Sequence, residues 1–288
     1  MNKQELVKSQ PKFSVQIQSD TYKNLINNTL GDKDKAQRFI ASISSAVAVN
    51  PTLQECEAGT ILSAALLGES LNLSPSPQLG FYYLVPFNDS KKGYKVAQFQ
   101  LGYKGYIQLA IRSGYYKKLN VMAIKKGELV KFDELNEEIE VNLIQDEEER
   151  ENAETIGYYA MFEYISGFRK AIYWSKTKME KHALRYSQGY KGDKAKNTAY
   201  TFWSKDFDGM AYKTMLRQLI SKWGIMSTDM QEAYTKDQAV IQTNGNYEYV
   251  DNRDDIVIPQ EPNIEEEPNI DELFPKKEET EQVDFNNL

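Results

Sequence analysis

The 288-residue sequence has very little of the side-chain chemistry on which most enzymes depend. It has one cysteine, Cys56, and one histidine, His182. An internal disulfide, a zinc site with two or more cysteines and a multi-histidine metal site are therefore excluded. None of the 16 glycines is followed by lysine, which excludes the Gly-Lys phosphate loop of ATP hydrolases.

Long hydrophobic runs are also missing. No run approaches the roughly 20 apolar residues of a membrane helix, and the first residues lack the apolar centre of a signal peptide. We therefore expect a protein of a reducing cytoplasm. It should have no membrane segment, no bound metal or cofactor and no conventional catalytic site.

Apolar sequence is nevertheless sufficient for a sizeable core, because hydrophobic residues make up 41% and aromatic residues 12% of the chain. The patterning predicts an irregular arm at 1–18, a folded core at 19–240 and a disordered tail at 241–288. The tail has four prolines and 14 acidic against 3 basic residues, too little apolar surface to offset the entropy of ordering. Its near-repeat, at 261–266 and 267–272, fits a docking peptide and a solubilising tail equally well.

Charge is distributed unevenly along the chain. The net charge is −7, yet residues 88–131 hold ten basic and two acidic residues, and residues 155–225 hold thirteen and five. An insert between these blocks, at 132–154, holds eleven acidic residues and one basic residue. Local potential, more than net charge, decides whether a polyanion binds. Two basic blocks in aromatic-rich sequence therefore favour a nucleic-acid partner over merely solvated faces.

Hydrophobic periodicity predicts alternating helices and strands. Helices are predicted at 19–28, 32–49, 55–71, 103–113, 175–186, 199–223 (broken near Asp206) and 228–240. Strands are predicted at 81–85, 94–101, 116–125, 129–132, 155–165 and 168–174, with a lysine-rich loop at 189–197 and a surface loop or edge hairpin in the insert. These elements predict an α+β fold in which antiparallel hairpins pack with helices.

Two of the predicted helices have the same polar stripe, with members at i, i+4 and i+8. The stripe members are Lys104, Gln108 and Arg112 in one helix and Lys213, Arg217 and Ser221 in the other. Successive members lie about 6 Å apart along a helix, a spacing that suits successive phosphates of a strand. Either helix alone is more simply an amphipathic surface helix, but the two together favour a basic groove.

Aromatic side chains beside these cations complete the predicted interface. The tetrapeptide Gly-Tyr-Lys-Gly occurs at 102–105 and again at 189–192. Aromatic planes beside lysines suit single-stranded nucleic acid, whose bases stack while its phosphates pair with cations. The residues predicted to contact DNA are Tyr103, Lys104, Gln108, Arg112, Tyr190, Lys191, Trp203, Lys205, Lys213, Thr214, Arg217 and Lys222.

These segments resemble the RecT/Redβ family of single-strand annealing recombinases from phages and prophages. The resemblance rests on Leu-Val-Pro-Phe at 84–87, on the segment 100–114 and on Trp203 with the segment 207–217, in consistent order across residues 20–240. The family often has Gly-Leu-x-Pro before the first strand. This chain has Asn-Leu-Ser-Pro at 72–75, a difference that bears on the geometry of that turn.

The resemblance implies an annealing-protein core that binds single-stranded DNA and the annealed duplex and forms rings or helical filaments. Such proteins anneal complementary strands without ATP during recombination and repair, inside a bacterial host cell. The resemblance also implies that the tail binds a phage exonuclease or the host single-strand-binding protein.

From the residues themselves we expect both stripes to line one groove that holds the sugar-phosphate backbone and leaves the base edges free. Replacing Lys213 or Arg217 by alanine is then expected to weaken binding and to lower the salt dependence by about one unit of slope each.

Three other interpretations remain open. A metal-dependent nuclease would use Asp206 and Asp208 with Asp133 or Glu134, although helix capping explains the first two more simply. A hydrolase with a Cys56–His182 pair is chemically conceivable, but Cys56 lies in an apolar helix that favours a buried, inert thiol. A structural oligomer without a DNA role leaves the two basic blocks unexplained.

Overall fold

The amino-terminal part of the chain folds as a helical scaffold. The computed structural model of the protein describes residues 11–89 and 91–249. The scaffold consists of α1 (Phe13–Gln16), α2 (Asp20–Leu30), α3 (Lys33–Val49), a 3-10 turn (Pro51–Glu55) and α4 (Ala58–Ser70). Asp32 caps α3, because its carboxylate accepts hydrogen bonds from the backbone N–H groups of Asp34 and Lys35.

After the scaffold, strands and helices alternate along the chain. The strands are β1 (Tyr82–Asp89), β2 (Tyr94–Leu101), β3 (Tyr116–Lys125), β4 (Leu129–Asp133), β5 (Glu138–Val141), β6 (Thr155–Tyr164), β7 (Arg169–Ser175), β8 (Ala239–Ile241) and β9 (Tyr247–Tyr249). The helices are α5 (Tyr103–Ser113), α6 (Glu147–Asn152), α7 (Lys176–Tyr186), α8 (Gln188–Lys196), α9 (Phe202–Lys205), α10 (Phe207–Trp223) and α11 (Thr228–Lys236). The α+β prediction is confirmed, and the acidic insert begins with a hairpin.

The strands form two antiparallel sheets and a separate two-stranded ribbon. The first sheet has the order β1-β2-β8-β9, the second has the order β3-β6-β7, and β4 and β5 form the ribbon. Along their whole length β1 and β2 pair, from Tyr82 opposite Leu101 to Asp89 opposite Tyr94. The first sheet packs against α4 and the second packs against α10, which also contacts α5. Helices α5 and α10 therefore meet where the two sheets are joined.

Helix α10 is buried on most of its faces. Fully enclosed apolar side chains cover about half of its circumference, namely Ala211, Met215, Leu216, Leu219 and Ile220, and Lys213 and Thr214 are buried as well. A helix in this position is not a surface helix with one apolar stripe. Its charged residues must therefore find partners inside the protein or at its edges.

Two segments that were predicted to be irregular are helical in the structure. The predicted loop at 189–197 is wrong, because α8 occupies it. The hydroxyl of Ser187 caps that helix on the N–H of Tyr190, and Asn197 ends it in the left-handed conformation with φ of 52°. The predicted irregular arm is wrong for residues 11–18, where α1 forms and both Phe13 and Ile17 are buried.

The predicted last helix is too long. It ends at Lys236, and Gln238 adopts a left-handed φ of 66° before β8 begins. Apolar residues Val240 and Ile241 then pair in the first sheet instead of continuing the helix. The predicted disorder is therefore wrong for 241–249, and the rest of the predicted tail lies outside the described residues.

The turn that distinguishes this chain from the usual family pattern has a clear backbone requirement. Asn72 adopts φ of 52°, in the left-handed region. Glycine enters this region most readily and asparagine is among the few other residues that tolerate it. Asn72 is therefore compatible with the left-handed turn at this position. Among the residues that the structure describes, no helix has the length and apolar character needed to cross a bilayer.

Candidate nucleic-acid interface

The segments 102–114 and 203–217, which carry the family resemblance, meet in the folded protein. Helices α5 and α10 pack together, and the rings of Tyr103 and Tyr212 make an edge-on contact with centroids 5.7 Å apart. Two glycines bring α5 onto the chain entering β1: a Cβ on Gly102 would lie 2.1 Å from the Gly80 carbonyl oxygen, and one on Gly105 would lie 2.1 Å from that of Phe81. These two glycines are therefore needed for close packing inside the protein.

A small pocket lies at this junction, and we call it the motif pocket. It has a volume of about 50 Å³, and its lining includes Tyr83, Gly102, Tyr103, Phe202, Asp206 and Lys213. The rings of Tyr83 and Phe202 lie 5.2 Å apart, and Phe202 is 38% exposed. Burial and the negative charge of Asp206 raise the pKa of Tyr83, so its hydroxyl stays protonated. The pocket therefore presents aromatic faces at the surface, as stacking with a base requires.

Two of the three side chains in the second polar stripe form ion pairs inside the protein. The ammonium group of Lys213 lies 2.9 Å from Asp237 Oδ1, and the guanidinium group of Arg217 lies 2.7 Å from Asp237 Oδ2. The carboxylate also accepts hydrogen bonds from the backbone N–H of Leu101 and the hydroxyl of Tyr106. We call these five residues the Asp237 cluster.

Burial lowers the pKa of Lys213, partly offset by the attraction of Asp237. Lys213 is only 5% exposed, so our prediction that it faces solvent along a groove is wrong. Arg217 is half-buried and also lies over the ring of Tyr234, with its guanidinium carbon 4.5 Å from the centroid. Lys213 and Arg217 therefore share one carboxylate.

Several other predicted contact residues also have internal roles. Tyr190 and Trp203 are buried and pack against each other, with centroids 6.0 Å apart. Thr214 is buried and its hydroxyl donates to the carbonyl of Met210. These three side chains do not reach the surface, which corrects the prediction that they meet DNA.

Arg112 is exposed, but it has partners at the end of α4. Its guanidinium group donates to the carbonyl oxygens of Leu71, at 2.5 Å, and Asn72, at 3.1 Å. A cation here satisfies carbonyl groups that a helix end leaves unpaired. Arg112 therefore holds the Asn72 turn in place.

The remaining predicted residues are accessible. Lys104, Lys191, Lys205 and Lys222 are exposed, while Tyr103 and Gln108 are half-buried. Lys104 lies beside the motif pocket, because its Cδ is 3.6 Å from where a Cβ on Gly80 would be. Lys205 ends α9, the four-residue helix that carries Phe202.

The structure has a second cationic surface, on α7 and α8. The sequence showed its cations as part of a basic block but not that they form one surface. The rings of Trp174, His182 and Tyr186 lie in a row, with centroid distances of 5.4 and 4.6 Å. Lys178 lies over Trp174 and Arg185 over Tyr186, at 5.0 and 5.3 Å from the ring centroids. We call these five residues the aromatic ladder. The exposed cations around it are Lys176, Lys178, Lys181, Arg185, Lys191, Lys194 and Lys196.

A sequence signal for this surface exists. Lys178, Lys181 and Arg185 recur at i, i+3 and i+7, and His182 and Tyr186 at i and i+4, so each set lies on one helix face. Trp174, at the end of β7, is half-buried and completes the row of rings. Helix α9 connects this surface to the motif pocket, since Phe202 contacts Tyr83 and the neighbouring Trp203 contacts Tyr190 of α8.

A buried carboxylate fixes the connection between α8 and α9. Asp193 accepts hydrogen bonds from the hydroxyls of Thr198, Thr201 and Ser204 and from the N–H groups of Tyr200 and Thr201. The backbone N–H of Thr201 and these hydroxyls hold the pKa of Asp193 well below its usual range. The hydrogen-bonding capacity of the carboxylate is thus used within this connection, and among the described residues it forms no ion pair with a lysine.

The turn of the acidic insert faces the same side of the protein as several of these cations. Glu137 lies 2.5 Å from the ammonium group of Lys170 and 3.9 Å from that of Lys222, and Glu134 lies 3.9 Å from that of Lys178. The insert is anchored at its other end by Glu128, which is paired with Arg150 at 2.6 Å. Some carboxylates of the insert are therefore paired with cations of their own subunit.

The carboxylates of the nuclease interpretation have other partners. Asp206 caps α10 by accepting the N–H of Gly209 at 2.9 Å, as expected for a capping residue, and Asp208 accepts the hydroxyl of Tyr158 at 2.6 Å. Within the described ranges, no group of three or more histidine, cysteine or acidic residues is placed to hold a metal ion. Cys56 is buried, and burial raises the pKa of its thiol to about 12. Nothing in this arrangement favours the nuclease or the thiol hydrolase.

We expect His182, the chain's one histidine, to be neutral in the folded protein at pH 7. Burial between Trp174 and Tyr186, reinforced by the charges of Arg217 and Arg185, lowers its pKa to about 4. The unfolded value is about 6.5, so folding favours the neutral ring. Its contribution to stability is present above about pH 6.5 and is lost as the pH falls towards 4.

The resonance of ¹³C-labelled histidine in NMR spectra tests this, because only one such signal exists. We expect a titration midpoint near 4 in the native protein and near 6.5 in urea. A native midpoint near 6.5 would mean that the ring is not enclosed in the aromatic ladder.

Comparison with known proteins identifies the family of this chain. A sequence model of the RecT family matches residues 37–255, a range that includes both segments at the motif pocket. A Bacillus subtilis (strain 168) protein called "Uncharacterized protein YqaK" is 40% identical over 238 residues, covering 80% of this chain and 77% of that protein. "Protein RecT" of Escherichia coli (strain K12) is 27% identical over 231 residues, covering 76% of this chain and 81% of that protein. The chain therefore belongs to the RecT family of single-strand annealing proteins.

Proposed function

We propose that this protein binds single-stranded DNA and anneals complementary strands in recombination, as an oligomer and without ATP. The supporting observation is the motif pocket, where both family segments meet beneath the half-buried ring of Tyr83 and the exposed ring of Phe202. The exposed Lys104 and Lys205 flank it, so the site offers aromatic faces and cations together. That combination suits a single strand with accessible bases.

The strand path that we propose runs from the motif pocket across α9 to the aromatic ladder. Helix α9 has four residues and is only about 6 Å long, so the two surfaces are close enough for one strand to contact both. Contacts to phosphates carry no sequence information, and binding is therefore independent of sequence. Bases that are not held by specific hydrogen bonds remain available to a complementary strand.

Annealing itself needs no catalytic group in this proposal. Base pairing supplies the free energy, and several subunits side by side hold the strand extended. The protein is not an enzyme in this scheme, and it acts inside a bacterial cell. We also propose that the segment after residue 249 binds a partner protein, such as a phage exonuclease or the host single-strand-binding protein.

The test is to remove the two flanking cations. The double variant Lys104→Ala with Lys205→Ala should bind a labelled oligothymidine at least tenfold more weakly and show a salt slope smaller by about 1.4, at ~0.7 per phosphate contact of a single strand. Fluorescence anisotropy over a salt series measures both, and ATP-free annealing of complementary oligonucleotides should slow in parallel.

Lys91→Ala controls for the loss of a cation elsewhere on the surface, and its effect is compared per charge removed. Lys91 is exposed in the β1–β2 turn, at the end of β1 that lies about 23 Å from the motif pocket end of the strand. Failure of the wild-type protein to anneal without ATP would refute the proposed function. Equal loss in the control and the double variant would refute the location of the site.

A further inference from the structure

A second and larger pocket lies in the helical scaffold. It has a volume of about 380 Å³ and lies between α3, the end of α4 and the chain entering β1. We call it the α3 pocket. Its wall includes Lys35, Arg38, Ser42, Asn72, Ser74 and Phe81. The volume is within the range of pockets that hold one small organic ligand.

Six polar side chains line this pocket, and three of them, Arg38, Ser42 and Asn72, offer hydrogen-bond donors without partners among the described residues. Lys35, Arg38 and Ser42 recur at i, i+3 and i+7 and therefore share one face of α3. Lys35 is paired with Glu69 at 3.1 Å. In the part of the chain that the structure describes, no carboxylate lies within ion-pair distance of Arg38, and the side chains of Ser42 and Asn72 make no hydrogen bond.

The charge and shape of the pocket indicate what it binds. With Lys35 balanced by Glu69, the guanidinium group of Arg38 leaves the pocket one net positive charge. A guanidinium fork with nearby hydroxyl and amide groups matches a phosphate. Apolar surface from Phe39 and Phe81 lies beside these donors, and it suits a planar base. A phosphate attached to a base is a nucleotide.

The pocket adjoins the motif pocket through a short stretch of backbone. Phe81 lines the α3 pocket and Tyr83 lines the motif pocket, and two residues of extended chain span about 7 Å. The carbonyl of Phe81 accepts the N–H of Gly102 at 2.8 Å, which fixes this stretch to the start of α5. The Cδ of the exposed Lys104 lies 3.6 Å from where a Cβ on Gly80 would be, so one cation lies beside the chain that links the two pockets.

We propose that the α3 pocket binds one nucleotide of the same single strand that occupies the motif pocket. The phosphate is held by Arg38 with Ser42 and Asn72, and the base lies against Phe81. Arg112 acts here as a positioning residue, since it holds the Asn72 turn through the carbonyls of Leu71 and Asn72. This inference rests on the proposed function and extends the strand path onto the scaffold.

Two variants of opposite design test the proposal. Arg38→Gln removes the cation, and Ser42→Asp places a negative charge in the pocket; neither removes a core side chain. We expect both to weaken oligothymidine binding roughly tenfold, and Arg38→Gln to lower the salt slope by ~0.7. Lys91→Gln is the matched control and should bind like wild type. The probe is labelled oligothymidine in anisotropy measurements with the full-length chain.

The outcomes separate this inference from the proposed function. If the wild-type protein anneals strands and both variants match it in affinity and salt slope, the α3 pocket inference is overturned while the proposed function stands. If thymidine 5′-monophosphate binds in calorimetry and loses affinity in Arg38→Gln while oligothymidine binding is unchanged, the pocket takes a free nucleotide, and its place on the strand path is overturned.

Discussion

Replacing Asp237 with alanine should lower the free energy of unfolding by about 3–5 kcal/mol, the usual cost of removing one partner from a buried ion pair. The change leaves Lys213 and Arg217 without their carboxylate and leaves the N–H of Leu101 and the hydroxyl of Tyr106 without their acceptor. The total free energy of unfolding of a typical domain is only about 5–15 kcal/mol. Urea unfolding at fixed protein concentration measures the loss.

The position of Asp237 makes this effect more than local. Its carboxylate joins the end of β2, helix α5 and helix α10, which together form one side of the motif pocket. We therefore expect DNA binding to fall together with stability. Asp229→Ala is the control, because Asp229 is an exposed acid in the first turn of the neighbouring α11 and should cost no more than about 1 kcal/mol.

A compensating variant separates charge from packing. Asp237→Asn combined with Lys213→Met removes one cation together with the anion, so the pair should be less destabilised than the sum of the two single changes. Asp237→Ala with an unfolding midpoint equal to wild type would show that the Asp237 cluster does not hold the two sheets and α5 together.

Much of the fold follows from local patterns that a sequence displays. The bounds 94–101, 103–113 and 116–125 match β2, α5 and β3, because alternation, helical periodicity and a terminal glycine act within a few residues. Helix α8 was missed for the opposite reason. Its composition is polar and lysine-rich, and it is stabilised by the burial of Tyr190 against residues of α9 and α10.

The site was predicted less completely, and α10 shows why. A stripe at i, i+4 and i+8 identifies one face of a helix but not what that face meets. Lys213 meets a carboxylate 24 residues away in sequence, and no local pattern reveals that contact. Arg112 is likewise paired with carbonyl groups about 40 residues earlier, so long-range partners decided which cations remain available.

On α7, long-range contacts create a surface that the sequence did not reveal. Its cations were counted in a basic block, but their alignment with three aromatic rings depends on the pairing of β7 with β6 and on the packing of α7 against both strands. The resulting surface has more exposed cations than either predicted stripe. We therefore expect it to contribute more to electrostatic binding than the stripe on α10.

Replacing Lys178, Lys181 and Arg185 together with alanine should weaken oligothymidine binding by roughly a hundredfold or more at moderate salt. The salt slope should fall by about 2, since each cation contributes ~0.7 when it neutralises one phosphate of a single strand. Loss of Lys178 and Arg185 also uncovers the rings of Trp174 and Tyr186. The phosphates of the strand then lose their cations, while the bases keep their aromatic partners. Fluorescence anisotropy across a salt series reports both quantities.

The control is a second triple variant with the same loss of charge, at Lys91, Lys126 and Lys131. All three are exposed, and no carboxylate pairs with them among the residues that the structure describes. If net charge alone governed binding, the two triple variants would lose equal affinity. A specific strand path requires the α7 variant to lose far more, because only its cations lie beside rings on which bases stack.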